Sequence, residues 1–141
     1  MAGRKLGAKA PMRHSWAIKL ALAAAAISIV ECLLILLSII PPILAYSPVN
    51  MAFALAYFAI LALGGWESHS GLKEAAKAGA LISLGRISVV IVAAILGSQM
   101  GTPVIGMPIP PGIPEAALYA IVLIENLLVG ATVSVAFALI G

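Results

Sequence analysis

The chain has 141 residues, of which 63% are hydrophobic and only 9% are charged. A soluble domain carries roughly a quarter charged residues, so this composition excludes an ordinary soluble protein and indicates an integral membrane protein. The formal net charge of +3 does not indicate a nucleic-acid-binding protein. The single cysteine, Cys32, lies in an apolar stretch and leaves no intrachain disulfide possible.

Four apolar segments predict membrane-spanning helices, because a hydrocarbon core of about 30 Å needs about 20 helical residues. They cover residues 16–40, 49–65, 73–97 and 114–140. No proline lies beyond the first residue of a segment, so each helix is expected to be continuous. We therefore predict an all-α bundle of four transmembrane helices in a single domain, preceded by a basic cytoplasmic arm over residues 1–15.

Basic residues lie at one end of the predicted bundle, which sets its orientation. The first and third connections contain none, and the residues at that end are Arg4, Lys5, Lys9, Arg13, Lys19, Lys73 and Lys77. The positive-inside rule then predicts that both termini and the second connection are cytoplasmic. Trp16, Tyr46 and Trp66 fall at segment ends, where the aromatic belts of membrane proteins lie.

An alternative interpretation makes residues 1–47 a cleaved signal peptide, with a basic start and the small residues of "LAYS" near its end. The apolar stretch is longer than the roughly 7–15 residues of a typical signal-peptide core. An uncleaved first helix is therefore favoured.

Charged residues fall inside the apolar segments. Counted from the outer end of each segment, Glu31, Arg86 and Glu125 lie about 15–16 Å deep, near the middle of a bilayer. Tyr57 lies near the same level. A lone charge there costs about 3 kcal/mol, so these groups are expected to face the bundle interior and to pair.

One arginine and two glutamates leave one carboxylate in excess, which could hold a proton or bind a small cation because burial disfavours its charged form. Arg86 pairs with Glu125 and leaves Glu31 to titrate, or the two glutamates exchange roles. Hydrogen bonds to this midplane polar site are expected from Asn126, Ser28 and Ser88. Two alternatives stay open. Arg86 could lie nearer the cytoplasmic surface and extend toward it, or neutral glutamic acids could bridge helices or bind a partner subunit.

Small residues recur every four positions on two segments. They form one face of the third segment and one of the fourth: Ala75, Gly79 and Ser83, and Gly130, Ser134 and Ala138. Such faces let helix backbones approach closely. They predict helix packing, either inside the bundle or against another chain.

No cofactor, metal or catalytic site is expected. His14 and His69 are the only histidines and lie outside the apolar cores, which argues against haem or zinc within the bilayer. The chain lacks aspartate and any P-loop or dinucleotide-binding fingerprint. We predict no enzyme activity.

The third connection, "GSQMGTPVIGMPIPPGIPEA", contains five prolines and no charge before Glu115. Proline makes such a loop stiff. Its apolar character predicts a connector that lies on the bilayer surface or, alternatively, a docking surface for another protein.

The stretch "IPEAALYAIVLIENLLVGA" resembles the proline-glutamate helix of proton-carrying rotor subunits of archaeal ATP synthases. It is also similar to an alanine-rich helix of small antiporter-like subunits of respiratory complexes. The glycine-rich partner helix of the first family is missing, and the remaining segments do not match the second. No residue role is carried over from either family.

The small size, the near absence of extramembrane residues and the incomplete polar site predict a non-catalytic subunit of a larger membrane complex, with an energy-transducing or proton-translocating complex favoured. The alternatives are a self-assembling ion or proton carrier that uses the midplane glutamates, and a structural subunit of a pilus-like or coat-like polymer. Expected partners are lipids and other membrane subunits or further copies, with no nucleic acid or soluble substrate. We expect a multi-pass protein of a prokaryotic plasma membrane. The scarcity of labile amides is typical of thermophile proteins.

Overall fold

The computed structural model describes residues 2–45, 47–68, 71–106 and 112–140, with the side chains of residues 2–15 excepted. Four α-helices follow one another in these ranges, with no strand among them: α1 Ala2–Leu36, α2 Pro48–Glu67, α3 Leu72–Met100 and α4 Glu115–Ile140. A 3₁₀ turn at Ile43–Ala45 follows α1. Tyr46, His69, the side chain of His14 and residues 107–111 of the third connection lie outside the described residues.

Each helix includes a stretch that is long and apolar enough to cross a membrane, which confirms that part of the prediction. These stretches are Trp16–Leu36, Pro48–Glu67, Leu72–Met100 and Glu115–Ile140. They indicate a multi-pass membrane protein. At the other end of α1, the predicted basic arm is helical and continuous with the spanning part, since α1 begins at Ala2.

The end of α1 corrects the first predicted boundary. The helix ends at Leu36, four residues before the predicted end at residue 40. Ser38 adopts a left-handed conformation with φ 62°. Its N–H donates to the Ile35 carbonyl, and the N–H of Ile39 donates to the Leu34 carbonyl, both at 2.9 Å. This pair of bonds satisfies the last free carbonyls of the helix before the chain reaches its prolines.

Local sequence signals set the neighbouring helix ends. Ser47 caps α2, because its Oγ accepts the N–H of Asn50 at 3.2 Å, and Pro48 occupies the first helical position. Gly101 ends α3 in a left-handed conformation with φ 76°, and its N–H bonds to the Gly97 carbonyl. Helix α3 thus extends three residues beyond its predicted end at residue 97.

The four helices form a bundle in which α3 packs along both α1 and α4, and α2 packs against both of them as well. Helices α1 and α4 therefore lie on opposite sides of the α2–α3 pair. Two apolar clusters fill the bundle. One surrounds Cys32, Ile35 and Val90, and the other surrounds Leu61 and Ile82.

The two predicted small-residue faces lie against each other, between α3 and α4. A Cβ atom on Gly79 would meet the carbonyl oxygen of Gly130, and one on Gly130 would meet Ser83 Oγ. All six residues are buried: Ala75, Gly79, Ser83, Gly130, Ser134 and Ala138. Each small-residue face therefore packs against the other within the same chain.

The first and third connections pair with each other at the end of the bundle opposite the lysines. The N–H of Ile43 donates to the Val104 carbonyl at 2.9 Å, and that of Leu44 donates to Ile105 at 3.0 Å. Val104 is 2% exposed and packs with Ile35 in the core. Segment 101–106 of the third connection is thus anchored in the bundle and is not a free surface loop.

Candidate functional site: a buried polar cluster and an exposed glutamate

Arg86 lies at the midpoint of α3, fourteen residues after Leu72 and fourteen before Met100. Its Nη1 donates to Glu31 Oε1 at 3.1 Å and to Ser28 Oγ at 3.2 Å, and Ser28 Oγ in turn donates to a carbonyl of its own helix. The Arg86 and Glu31 side chains are 9% and 0% exposed. Arg86 is therefore turned into the bundle and does not extend to a surface.

This ion pair corrects the first of the two predicted pairings. Arg86 pairs with Glu31 on α1, as in the exchanged arrangement, and not with Glu125. Glu31 lies only five residues before the end of α1 at Leu36, which is about 7.5 Å along the helix. Its predicted depth of about 15 Å assumed a helix that continued to residue 40.

Asn50 completes the coordination of Glu31. Its Nδ2 donates to Glu31 Oε2 at 3.3 Å, and its side chain is 3% exposed. Each carboxylate oxygen of Glu31 thus accepts a bond from a different helix. Asn50 was not predicted as a site residue because it stands next to a connection. The available signal was the cap formed by Ser47 and Pro48, which places Asn50 inside the first turn of α2.

Tyr57 packs its ring against the Arg86 guanidinium. The guanidinium carbon lies 4.9 Å from the ring centroid, a cation–π contact. The Tyr57 hydroxyl donates to Ser83 Oγ at 2.8 Å. Three of the four residues predicted near the midplane, Glu31, Arg86 and Tyr57, therefore lie together. With Ser28, Asn50 and Ser83 they form what we call the buried polar cluster.

The buried polar cluster joins three helices and is electrically neutral when Arg86 and Glu31 are both ionised. Within the described residues, every buried side-chain nitrogen or oxygen has a hydrogen-bond partner. Both Glu31 oxygens are engaged by donors, so this arrangement offers no free ligand to a metal ion. Its geometry suits a structural tie between α1, α2 and α3. It could move a proton only if the ion pair opened.

Glu125 and Asn126 do not join this cluster. Glu125 is exposed on α4, and no hydrogen bond or ion pair to its carboxylate occurs among the described residues. Asn126 is half-buried, and its Nδ2 donates to the Val122 carbonyl of its own helix at 2.8 Å. Ser88 is likewise exposed, beside an apolar groove between α1 and α3. The predicted midplane polar site is thus divided between two places.

Glu125 belongs to a continuous exposed strip that runs along α4, which we call the α4 stripe. Its residues recur at the spacings of three, four and seven that place side chains on one helical face: Ile121, Glu125, Leu128, Thr132 and Leu139. Helix α4 is also the least covered of the four. Only 17% of its spanning window is buried inside the bundle, against 33–44% for the others.

A second polar feature lies near the paired connections. The Tyr119 hydroxyl donates to the Glu115 carboxylate in the first turns of α4. The two side chains line a cleft of about 310 Å³ between the end of α3, the loop 101–106 and the start of α4. The rest of its lining is mainly apolar or backbone, and both polar groups already satisfy each other.

Neither a protein-family model, nor a curated protein, nor a solved structure matches the chain. The chain has two polar features of different chemical character. The buried polar cluster is complete within the bundle, whereas the α4 stripe presents an unpaired carboxylate on an apolar helix face.

Proposed function

We propose that the chain is a non-catalytic integral subunit of a larger membrane complex and that the α4 stripe is the face by which it joins that complex. The observation that carries the proposal is the exposure of Glu125 halfway along the least covered helix. A carboxylate exposed to lipid near the bilayer centre costs about 3 kcal/mol or more. Contact with a second membrane protein would remove that cost.

The proposed topology has all four helices inserted and both termini in the cytoplasm. Lys19, Lys73 and Lys77 are exposed at one end of the bundle, as the positive-inside rule requires of a cytoplasmic face. Trp16 and Trp66 are 40% and 51% exposed at that same end, where they would reach the lipid headgroups. The plasma membrane of a prokaryote is the proposed location.

An energy-transducing complex is the favoured kind. Ionisable groups within membrane helices are rare and are typical of proton and ion pathways. In this proposal Glu31 and Arg86 hold the subunit together, and Glu125 lies at the interface with the rest of the complex.

Extraction from native membranes tests this function. The chain is solubilised in a mild detergent, separated on a native gel and identified by mass spectrometry with whatever migrates beside it. We expect a band far above the 14.4 kDa of the chain, with different polypeptides in fixed stoichiometry. A band that contains this chain alone would contradict the proposal.

A proton or ion carrier is the second candidate, and the observation that favours it is the buried carboxylate of Glu31. If this candidate is correct, Glu125→Gln abolishes proton flux in reconstituted vesicles while expression stays normal, and Glu31→Gln tests the buried carboxylate in vesicles that hold an equal amount of folded protein. Flux that neither substitution changes would reject it. The polymer hypothesis relied on the small-residue faces for assembly, and these faces are buried between α3 and α4.

A further inference from the structure

We propose that the α4 stripe binds a transmembrane helix of a different protein and that this helix carries a lysine or arginine that pairs with Glu125. The inference rests on the proposed function, which requires a membrane partner but does not say what that partner presents. It assigns the chemistry of the contact: one basic side chain within an otherwise apolar helix.

No basic side chain in the described part of the chain pairs with Glu125. Arg86, the basic residue in the interior of the bundle, is already bonded to Glu31. The exposed lysines lie toward the other end of the bundle: Lys77 is five residues, or about 7.5 Å, into α3. Glu125 is fifteen residues, or about 22 Å, from the corresponding end of α4. No ion pair between Glu125 and a lysine occurs among the described residues.

The α4 stripe has a shape that a second helix fits. Polar Glu125 and Thr132 lie between the apolar residues Ile121, Leu128 and Leu139, at the spacings of three, four and seven residues that helix-to-helix seams use. Thr132 donates to the Leu128 carbonyl at 2.7 Å and so presents a satisfied side chain to its neighbour. A second helix can lie along such a stripe over several turns, whereas a lipid chain supplies no group for the carboxylate.

A different protein fits the α4 stripe better than a second copy of this chain does. Two α4 stripes packed together would bring carboxylates toward each other or against apolar side chains, because neither copy has a basic residue at that level of the stripe. Like charges in a low-dielectric environment repel strongly. Charge complementarity therefore selects a helix with a cation at the level of Glu125.

A defined probe tests this chemistry. The probe is a synthetic leucine-rich transmembrane peptide with one lysine at its centre, and its match has leucine at that position. Labelled full-length chain and labelled peptide are reconstituted in phosphatidylcholine vesicles, and association is read by energy transfer. We expect the lysine peptide to associate at least about threefold more strongly than the leucine peptide, the factor that an average interhelical polar contact provides.

Matched variants assign the effect to Glu125. We expect Glu125→Leu to abolish the preference for lysine, while Thr132→Val, on the same stripe, preserves it. Helix content by circular dichroism checks that both variants fold. Equal association of the two peptides with the wild-type chain would overturn the inference in favour of lipid alone. Energy transfer between copies of the chain that Glu125→Leu removes would overturn it in favour of a homo-oligomer.

Different experimental results would contradict the basic partner helix and the proposed function. If native extraction yields a complex with other proteins and Glu125→Leu leaves that complex intact, the function stands and the basic partner helix is wrong. If extraction yields the chain alone, the function itself is wrong.

Discussion

Arg86 and Glu31 are buried where an unpaired charge is most unfavourable, and each is stabilised by partners from other helices. Removing one member of a buried ion pair leaves the other charge uncompensated, which typically destabilises a protein by about 3–5 kcal/mol. Removing both members is far less damaging. The two residues should therefore be energetically coupled.

A double-mutant cycle measures that coupling. We predict that Arg86→Leu and Glu31→Leu each lower the free energy of unfolding by about 3–5 kcal/mol. The double variant should lose no more than either single variant, which corresponds to an interaction energy of about 3 kcal/mol or more. Unfolding of the detergent-solubilised protein by sodium dodecyl sulfate provides the measurement.

The control cycle combines Arg86→Leu with Glu125→Leu instead of Glu31→Leu. Because Glu125 is exposed and lies outside the buried polar cluster, losses from Arg86→Leu and Glu125→Leu should add. Coupling between Arg86 and Glu125 together with additivity between Arg86 and Glu31 would contradict the observed pairing.

Tyr57 makes two separable contacts, one through its ring and one through its hydroxyl. Tyr57→Phe should lower the free energy of unfolding by about 1 kcal/mol, because only the bond to Ser83 is lost. Tyr57→Leu should lower it by about 1–2 kcal/mol more, because the cation–π contact with Arg86 is lost as well. Equal losses in the two variants would show that the ring does not stabilise the guanidinium.

At the scale of the helices, sequence periodicity predicted which helix faces pack together, but the positions of the charged side chains were predicted less well. The small residues Gly130, Ser134 and Ala138 define the buried face of α4. Continued toward the start of α4 in steps of four residues, that face includes Asn126 and Val122 but does not include Glu125. The outward position of Glu125 was therefore already implied by the pattern, and the assumption that every membrane charge faces inward overrode it.

The contact between α3 and α4 has no space for a side chain at Gly130. Gly130→Ala would drive its Cβ atom into Ser83 Oγ and the Gly79 carbonyl. We predict a loss of about 1–3 kcal/mol in the free energy of unfolding, the usual range for overpacking a tight core. Ala136→Leu, an exposed position on the same helix, is the matched control and should change stability little. A neutral Gly130→Ala would contradict the close approach of the two helices.

At the scale of the whole molecule, composition and segment length predicted the four helices, because both follow from the thickness of the bilayer. The pairing of Arg86 could not be resolved, since two glutamates had nearly equal counted depths. The predicted end of α1 is four residues too late because Pro41 and Pro42 predict a stop at residue 40, whereas Ser38 turns the chain earlier. The cap at Ser47 and Pro48 indicates that Asn50 is helical, but the contact of Asn50 with Glu31 depends on how α2 approaches α1, which no local pattern encodes.

The central claim is that the α4 stripe, and not another surface of the bundle, meets a different protein. Photo-crosslinking from single cysteines in native membranes tests it most directly. In a Cys32→Ala background, Leu128→Cys on the α4 stripe and Leu22→Cys on α1 are each labelled with benzophenone maleimide and irradiated. The wild-type side chains are equally suited as sites, being 64% and 65% exposed.

We predict that the probe at position 128 gives a single heavier adduct with a different polypeptide and that the probe at position 22 gives none. Adducts with lipid alone at both positions, or a protein adduct at position 22 only, would contradict the claim.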